Sequence, residues 1–352
     1  MTTGELQRLR THMTSTLNAL IFLIPSILLQ YTMPAGSIGV NYGLNGNNLP
    51  TPAAVVQLYK THGIQKMRLF CPNPQAQQAL ERTNIYVSLG VMNRDLPSLA
   101  RSQTAANEWV KNNILPYRNT HYQYVTVGNE VIPGPFSQYV AQAMRNIKTA
   151  LNNAGLSHVR VTTVIATSAL SISFPPSAGA FSAESLPAIT AVLRFLEEQG
   201  LPNNVLMVNI YPFFAYAADP QHVSLQYAQF TATGNVVIDH GLGYQNLFDA
   251  MVDAFYSAME KAGGRTVGIA VAETGWPSAG KGEQFTSPAL AQTYNKNLIE
   301  HVRRIGTPKR PNDHLHVFIF AMFNENQKTP PGVEQNFGLF YPNGQPVYNL
   351  AF

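Results

Sequence analysis

Three glutamates draw attention because each ends an apolar, β-branched run: Val127-Gly128-Asn129-Glu130, Ala272-Glu273-Thr274-Gly275-Trp276-Pro277 and Asn324-Glu325-Asn326. In a (β/α)8 barrel the C-terminal strand ends form the mouth, where chemistry is assembled. A single glutamate there is often an ordinary loop residue in an ion pair. Three on one rim, without an obvious metal-ligand cluster, point instead to paired-carboxylate chemistry. One carboxyl protonates a leaving oxygen while the other attacks the carbon or activates water, which is the minimal equipment for breaking a glycosidic bond. Asn129 can hydrogen-bond a sugar hydroxyl or simply form a turn. Tyr42, Tyr211, Phe213, Phe214 and Tyr216 also gather near strand ends, where aromatic rings suit either a carbohydrate cleft or the core.

The elements that must carry these residues are legible. Eight short, nearly continuous apolar runs alternate with helical patterns: 38–42, 66–70, 85–91, 122–127, 159–166, 205–211, 267–272 and 316–323. Such runs fit parallel strands covered on both faces, and eight closes a barrel. Thr51-Pro52 starts a helix that Gly63 stops, and Ser287-Pro288 starts another that Gly306 is expected to close. Apolar stripes at helical spacing run from Phe136 to Leu151 and from Leu247 to Met259; they are core faces. Two regions break the alternation. Residues 216–243 are too long for a simple loop and are expected to form an excursion beside a cleft. Residues 326–348 carry Pro330-Pro331 and turn residues in place of an amphipathic helix. The expectation is one α/β domain, a single (β/α)8 barrel over 37–352 with an excursion after strand six.

Composition narrows the function. Of 352 residues, 45% are hydrophobic and 12% charged, which supplies a large core and argues against disorder. The net charge of +4 comes from scattered basic residues, the tightest being Arg303-Arg304 and Lys309-Arg310. Two such pairs mean a solvated face, so no nucleic-acid partner is expected. One cysteine, Cys71, excludes an internal disulfide and a thiolate zinc cage. Metalloprotease, serine-hydrolase and phosphate-loop motifs are absent. His314 and His316 share a strand face, but at a strand start, away from the glutamates.

At the N-terminus, Arg8, Arg10 and His12 precede an apolar run from Leu17 to Leu29. That pattern reads as a secretory signal over 1–36, with the mature chain starting near Ser37 or Ile38. No later segment has the length of a membrane helix, and the chain end lacks the tail of a lipid-anchor signal. No Asn-x-Ser/Thr sequon occurs. The reading is a secreted, extracellular or wall-located monomer with no membrane partner.

The ordered strings IGVNYG, GNNLP, VTVGNE, NIYPFFAY, ETGWPSAG, FNENQK and NFGLF resemble plant β-1,3-glucanases of glycoside hydrolase family 17, over essentially all of 38–352. The resemblance implies a (β/α)8 barrel, no cofactor, no metal, and retaining endo-hydrolysis of β-1,3-glucan in defence or wall remodelling. It assigns Glu130 as acid/base and Glu273 as nucleophile. Within the same motifs, Tyr42, Asn129, Asn209, Tyr211, Phe214, Trp276, Glu325 and Lys328 are expected to contact substrate or support the centre. The chain departs from the family's usual pattern at Phe70 and Cys71, where members usually carry Tyr and often Asp. Losing a hydroxyl and a carboxylate there bears on affinity and rate more than on reaction type. Two alternatives stay open: a mixed-linkage β-1,3;1,4-glucanase, and a catalytically weak glucan-binding protein.

Overall fold

The computed structural model describes residues 37–352 except 202, 203 and 305. The expected secretory signal over 1–36 lies outside the described residues. Eight parallel strands close into a barrel: β1 Ser37–Tyr42, β2 Lys66–Leu69, β3 Tyr86–Val91, β4 His121–Asn129, β5 Arg160–Ala166, β6 Val205–Asn209, β7 Gly268–Thr274 and β8 His316–Ile319. Each strand pairs with the next, and β1 closes on β8 with Val40 beside Ile319.

Helices cover the outside because they present apolar faces to the strands, and several have capped starts. Thr51 and Ser287 accept the backbone N–H of Ala54 and Leu290, each with proline at the first helical position. The helix Ser137–Asn153 buries Val140, Ala143, Met144, Ile147 and Leu151 on one stripe, and Leu247–Lys261 buries Phe248, Val252, Phe255 and Met259. Most of the core lies between these helices and the strands. A smaller cluster of Tyr124, Val164, Val205, Met207, Ala270, Ala272 and Phe318 fills the barrel interior.

Strand β2 shows how alternation sets the site. Met67 and Leu69 join the outer core, which turns the buried Lys66 and Arg68 inward, Lys66 toward the N-terminal floor and Arg68 toward the mouth. Beside it, a Cβ on Gly90 would lie 2.2 Å from the Phe70 carbonyl oxygen, so only glycine lets the two strand ends approach.

Three expectations change. Strand β8 ends at Ile319, not Phe323, because the next amides leave the ladder: Ala321 N–H donates to Phe337 and Met322 N–H to Asn41. The helix Pro288–Val302 stops before Gly306. The region after β6 is the expected excursion, with helices Pro212–Ala218 and Leu225–Ala228 and an antiparallel pair Val237–Asp239 and Leu242–Tyr244. A second excursion follows β5, where Leu170–Ile172 pairs with Ala180–Phe181, and the sequence reading missed it. Asp239 ties the two together by accepting from the Ser177 backbone N–H at 2.6 Å and hydroxyl at 2.9 Å. Among the described residues no helix is long and apolar enough to cross a membrane.

Candidate active site

The C-terminal strand ends open into a cleft of about 1020 Å³, lined among others by Tyr42, Asn129, Glu130, Asn209, Tyr211, Phe214, Glu273, Glu325 and Lys328. Residues as far as 286 positions apart, Tyr42 and Lys328, thus share one surface because a closed barrel brings all its strand ends to one rim.

Glu130 sits just past β4 with φ of 56°, following Gly128 at φ 85°. A non-glycine residue in this left-handed region is unusual and marks a backbone held for a purpose. Its N–H donates to the Val164 carbonyl of the neighbouring strand β5 at 2.9 Å. The preceding Asn129 is clamped by Asn93, which accepts its N–H at 2.8 Å and donates to its carbonyl at 2.9 Å. The turn that presents Glu130 is therefore fixed from both sides.

Glu273 arrives by a different device. The register of β7 on β6 slips between Val271 and Glu273, which places Glu273 opposite Asn209. Both carboxylate oxygens are then held: Arg68 Nη1 donates to Oε1 at 2.8 Å, and the Tyr211 hydroxyl donates to Oε2 at 2.9 Å. Arg68 is only 1% exposed, and its Nη2 donates to Asn129 Oδ1 at 2.7 Å. One guanidinium thus bridges the two carboxylate-bearing strands. Asn209, beside Glu273 in register, donates to Glu130 Oε1 at 2.6 Å.

The two carboxyls sit in unequal surroundings. Burial pushes Glu130 above the usual carboxylate range, the charge of Glu273 adds to this, and Asn209 and Arg68 oppose it in part. Glu273 instead has two donors on its oxygens, one of them charged. Tyr211 is held well above its ordinary value, by burial first and then by Glu273, so it remains a neutral donor. Burial also raises Glu325, whose Oε1 accepts the Asn45 N–H at 2.6 Å. Lys328 pairs with Glu334 at 3.3 Å and lies 4.1 Å over the Phe320 ring.

Trp276 is the candidate that the fold sets apart. It is 0% exposed, donates its indole N–H to Phe285, and packs against Phe213 at 5.2 Å and Tyr294 at 5.6 Å. Its place is the aromatic core behind the cleft wall, with no surface left for a sugar. Phe70 and Cys71 do line the cleft; Phe70 lies under Arg68 at 4.4 Å, and burial raises the Cys71 thiol. The sequence reading passed over Arg68, Asn93, Phe174 and Glu334. Only Arg68 carried a signal, a cation that alternates with apolar residues in a strand. Among the described residues, no three or more His, Cys, Asp or Glu are arranged to hold a metal ion.

Known proteins share this arrangement along most of their length. Residues 38–352 match the family described as Glycosyl hydrolases family 17. The chain is 45% identical to the probable glucan endo-1,3-beta-glucosidase BG4 of Arabidopsis thaliana, covering 95% of this chain and 96% of that one. It is 49% identical to Lichenase-2 of Hordeum vulgare, covering 90% and 98%. The structure of CJP38, a β-1,3-glucanase and allergen of Cryptomeria japonica pollen, superimposes with a TM-score of 0.85 at 46% identity, covering 90% and 99%. With its closed eight-stranded barrel and its carboxylates at the mouth, this chain belongs to glycosyl hydrolases family 17 and is a glycoside hydrolase.

Proposed function

We propose that the protein hydrolyses internal β-1,3-glucosidic linkages of β-glucan with retention of configuration, Glu273 acting as nucleophile and Glu130 as acid/base. The observation that carries the assignment is the unequal treatment of the two carboxyls. Arg68 and Tyr211 donate to both oxygens of Glu273 and so aim that group, while burial favours a proton on Glu130.

The reaction follows in two steps. A Glu273 oxygen attacks the anomeric carbon, the bond to the leaving oxygen breaks, and Glu130 gives that oxygen its proton. The resulting ester removes the charge of Glu273, so Glu130, now a carboxylate, takes a proton from water as the water oxygen attacks the same carbon. The ester then breaks, Glu273 regains its charge, and both groups return to their starting states.

The choice of β-1,3-glucan draws on the names of BG4 and CJP38. A mixed-linkage glucanase is the second reading, and the 49% identity to Lichenase-2 favours it. We also take the chain to act as a secreted monomer, with one catalytic domain over 37–352 after a cleaved signal. Hydrolysis of laminarin, mixed-linkage glucan and cellulose, with products separated by size, tests the substrate. Only glucose at early times contradicts endo action, and activity confined to mixed-linkage glucan replaces the substrate. Glu273→Ala should regain activity on an aryl glycoside with azide, giving an azide of inverted configuration. Glu130→Ala should keep attack on that substrate, whose leaving group needs no proton, and lose natural glucan. The same azide anomer from both variants would refute the division of roles.

A further inference from the structure

The opposite end of the barrel carries a smaller concavity of about 460 Å³. It opens at the N-terminal ends of β3 and β4 and is lined by Arg82, Tyr86, Arg118, His121, Tyr122 and His158 among others. In the sequence these cations lie apart; the fold turns them to one place. No acidic residue lines the concavity. The nearest carboxylate in sequence, Glu81, accepts from the Asn119 side chain at 3.2 Å and from its N–H at 3.4 Å.

The loops carrying the two arginines are tied to each other. Arg82 has φ of 56°, and its N–H donates to the Asn119 carbonyl at 3.1 Å. Both arginines are exposed, and among the described residues neither guanidinium has an ion pair or a hydrogen bond. Two permanent charges facing one hollow repel each other, and an anion seated between them removes that repulsion. Beside them Tyr86 is 37% exposed, and its ring lies 5.8 Å from that of His121. Exposed aromatic rings offer a flat apolar face, while guanidinium forks match a carboxylate in two-pronged fashion.

We propose that this hollow is a second glycan-binding site, specific for an acidic polysaccharide, in which Tyr86 and His121 stack on a sugar ring while Arg82 and Arg118 bind uronate carboxylates. The site faces away from the glutamates, so an enzyme held there keeps its cleft open to a different polymer. Stacking with charge also suits a single-stranded nucleic acid. The glycan is favoured because the other end of the same barrel is built for a sugar polymer.

The full chain is titrated with polygalacturonate, with its fully methyl-esterified form, and with single-stranded DNA of matched charge. Polygalacturonate should bind, more weakly as salt rises, and the esterified polymer should not. Arg82→Gln with Arg118→Gln should weaken that binding by about tenfold or more, the scale of one charge-assisted hydrogen bond. Tyr86→Ala should weaken it with the charges intact, and both variants should hydrolyse laminarin at the parent rate. Unchanged polygalacturonate affinity in the double arginine variant would overturn the site. Equal binding of the esterified polymer would remove the carboxylate, and DNA binding as tightly as polygalacturonate would make the surface a nucleic-acid site instead.

Discussion

Replacing Lys66 by methionine should make the protein more stable near neutral pH and below, and leave it nearly unchanged in strong alkali. Lys66 is 3% exposed inside the barrel floor, where its Nζ donates to His316 Nδ1 at 2.9 Å. The Ser37 hydroxyl lies 2.7 Å from that same Nδ1. The charged and titratable groups that face this pair are themselves basic, Arg160 beside Lys66 and His314 beside His316. Burial, with a smaller push from Arg160, lowers Lys66 to about 7, and burial with Lys66 and Arg160 lowers His316 to about 3. An unfolded lysine titrates at about 10.4, so carrying this one charged and buried costs on the order of 5 kcal/mol as an upper bound. The sign follows from proton counts. Between about 7 and about 10.4 the unfolded chain holds the Lys66 proton and the folded protein does not, so folding stability rises with pH across that window. Below it the whole cost is present, and above it none. Methionine keeps most of the stem packing and removes the charge. Urea unfolding of both proteins at several pH values from about 6 to about 10 should show a gain of a few kcal/mol for Lys66→Met at the acid end that shrinks steadily toward alkali. A variant less stable near about pH 6, or a difference independent of pH, would refute a charge buried at a cost.

Arg68→Met strands the Glu273 charge in the barrel mouth and frees Asn129; a stability loss of about 3–5 kcal/mol is expected by urea unfolding, together with loss of hydrolysis. Adding Glu273→Gln should recover part of that stability, and additive losses would show that the pair is not coupled. Because burial and Glu273 raise Glu130, the alkaline limb of kcat/KM should lie above the ordinary carboxylate range. Glu130→Gln should abolish that limb on an activated aryl glycoside, and a limb that persists belongs to another group. Phe70→Tyr with Cys71→Asp should raise kcat/KM several-fold, since both residues line the cleft and a regained hydrogen bond is worth about 0.5–1.5 kcal/mol. No gain in a folded double variant makes the departure neutral.

Much of this protein is written locally. Most barrel strands are short β-branched runs and the long covering helices carry apolar stripes, several with capped starts, so the eight-fold alternation is visible without coordinates. Glu130 and Glu273 are visible too, because each follows an apolar run to a strand end, and Glu325 follows the last such run into the loop beyond β8. Boundaries were less secure. The excursion after β5 uses strands of three and two residues, too short for any period to register, and distant residues hold it in place: Asp239 of the next excursion and Lys261, which donates to the Ser177, Ala178 and Gly179 carbonyls.

What the tertiary structure alone decided is which side chains meet. Hydrophobic periodicity tells which face of an element is covered, not which residue covers it. Arg68 alternates with apolar residues in β2, but its partners are fixed only when closure of the barrel brings Glu273 and Asn129 to its two nitrogens. Asn209 gains its place through the slip in β7 register. Trp276 stands three residues from Glu273 and would pass for a sugar platform, yet packing against Phe213 and Tyr294 takes it out of reach. Arg82 and Arg118 belong to different loops and become neighbours only because β3 and β4 start side by side. The chain's own order sets the periods and the rim; closing the barrel selects the partners, since contacts across it join residues that no local pattern relates.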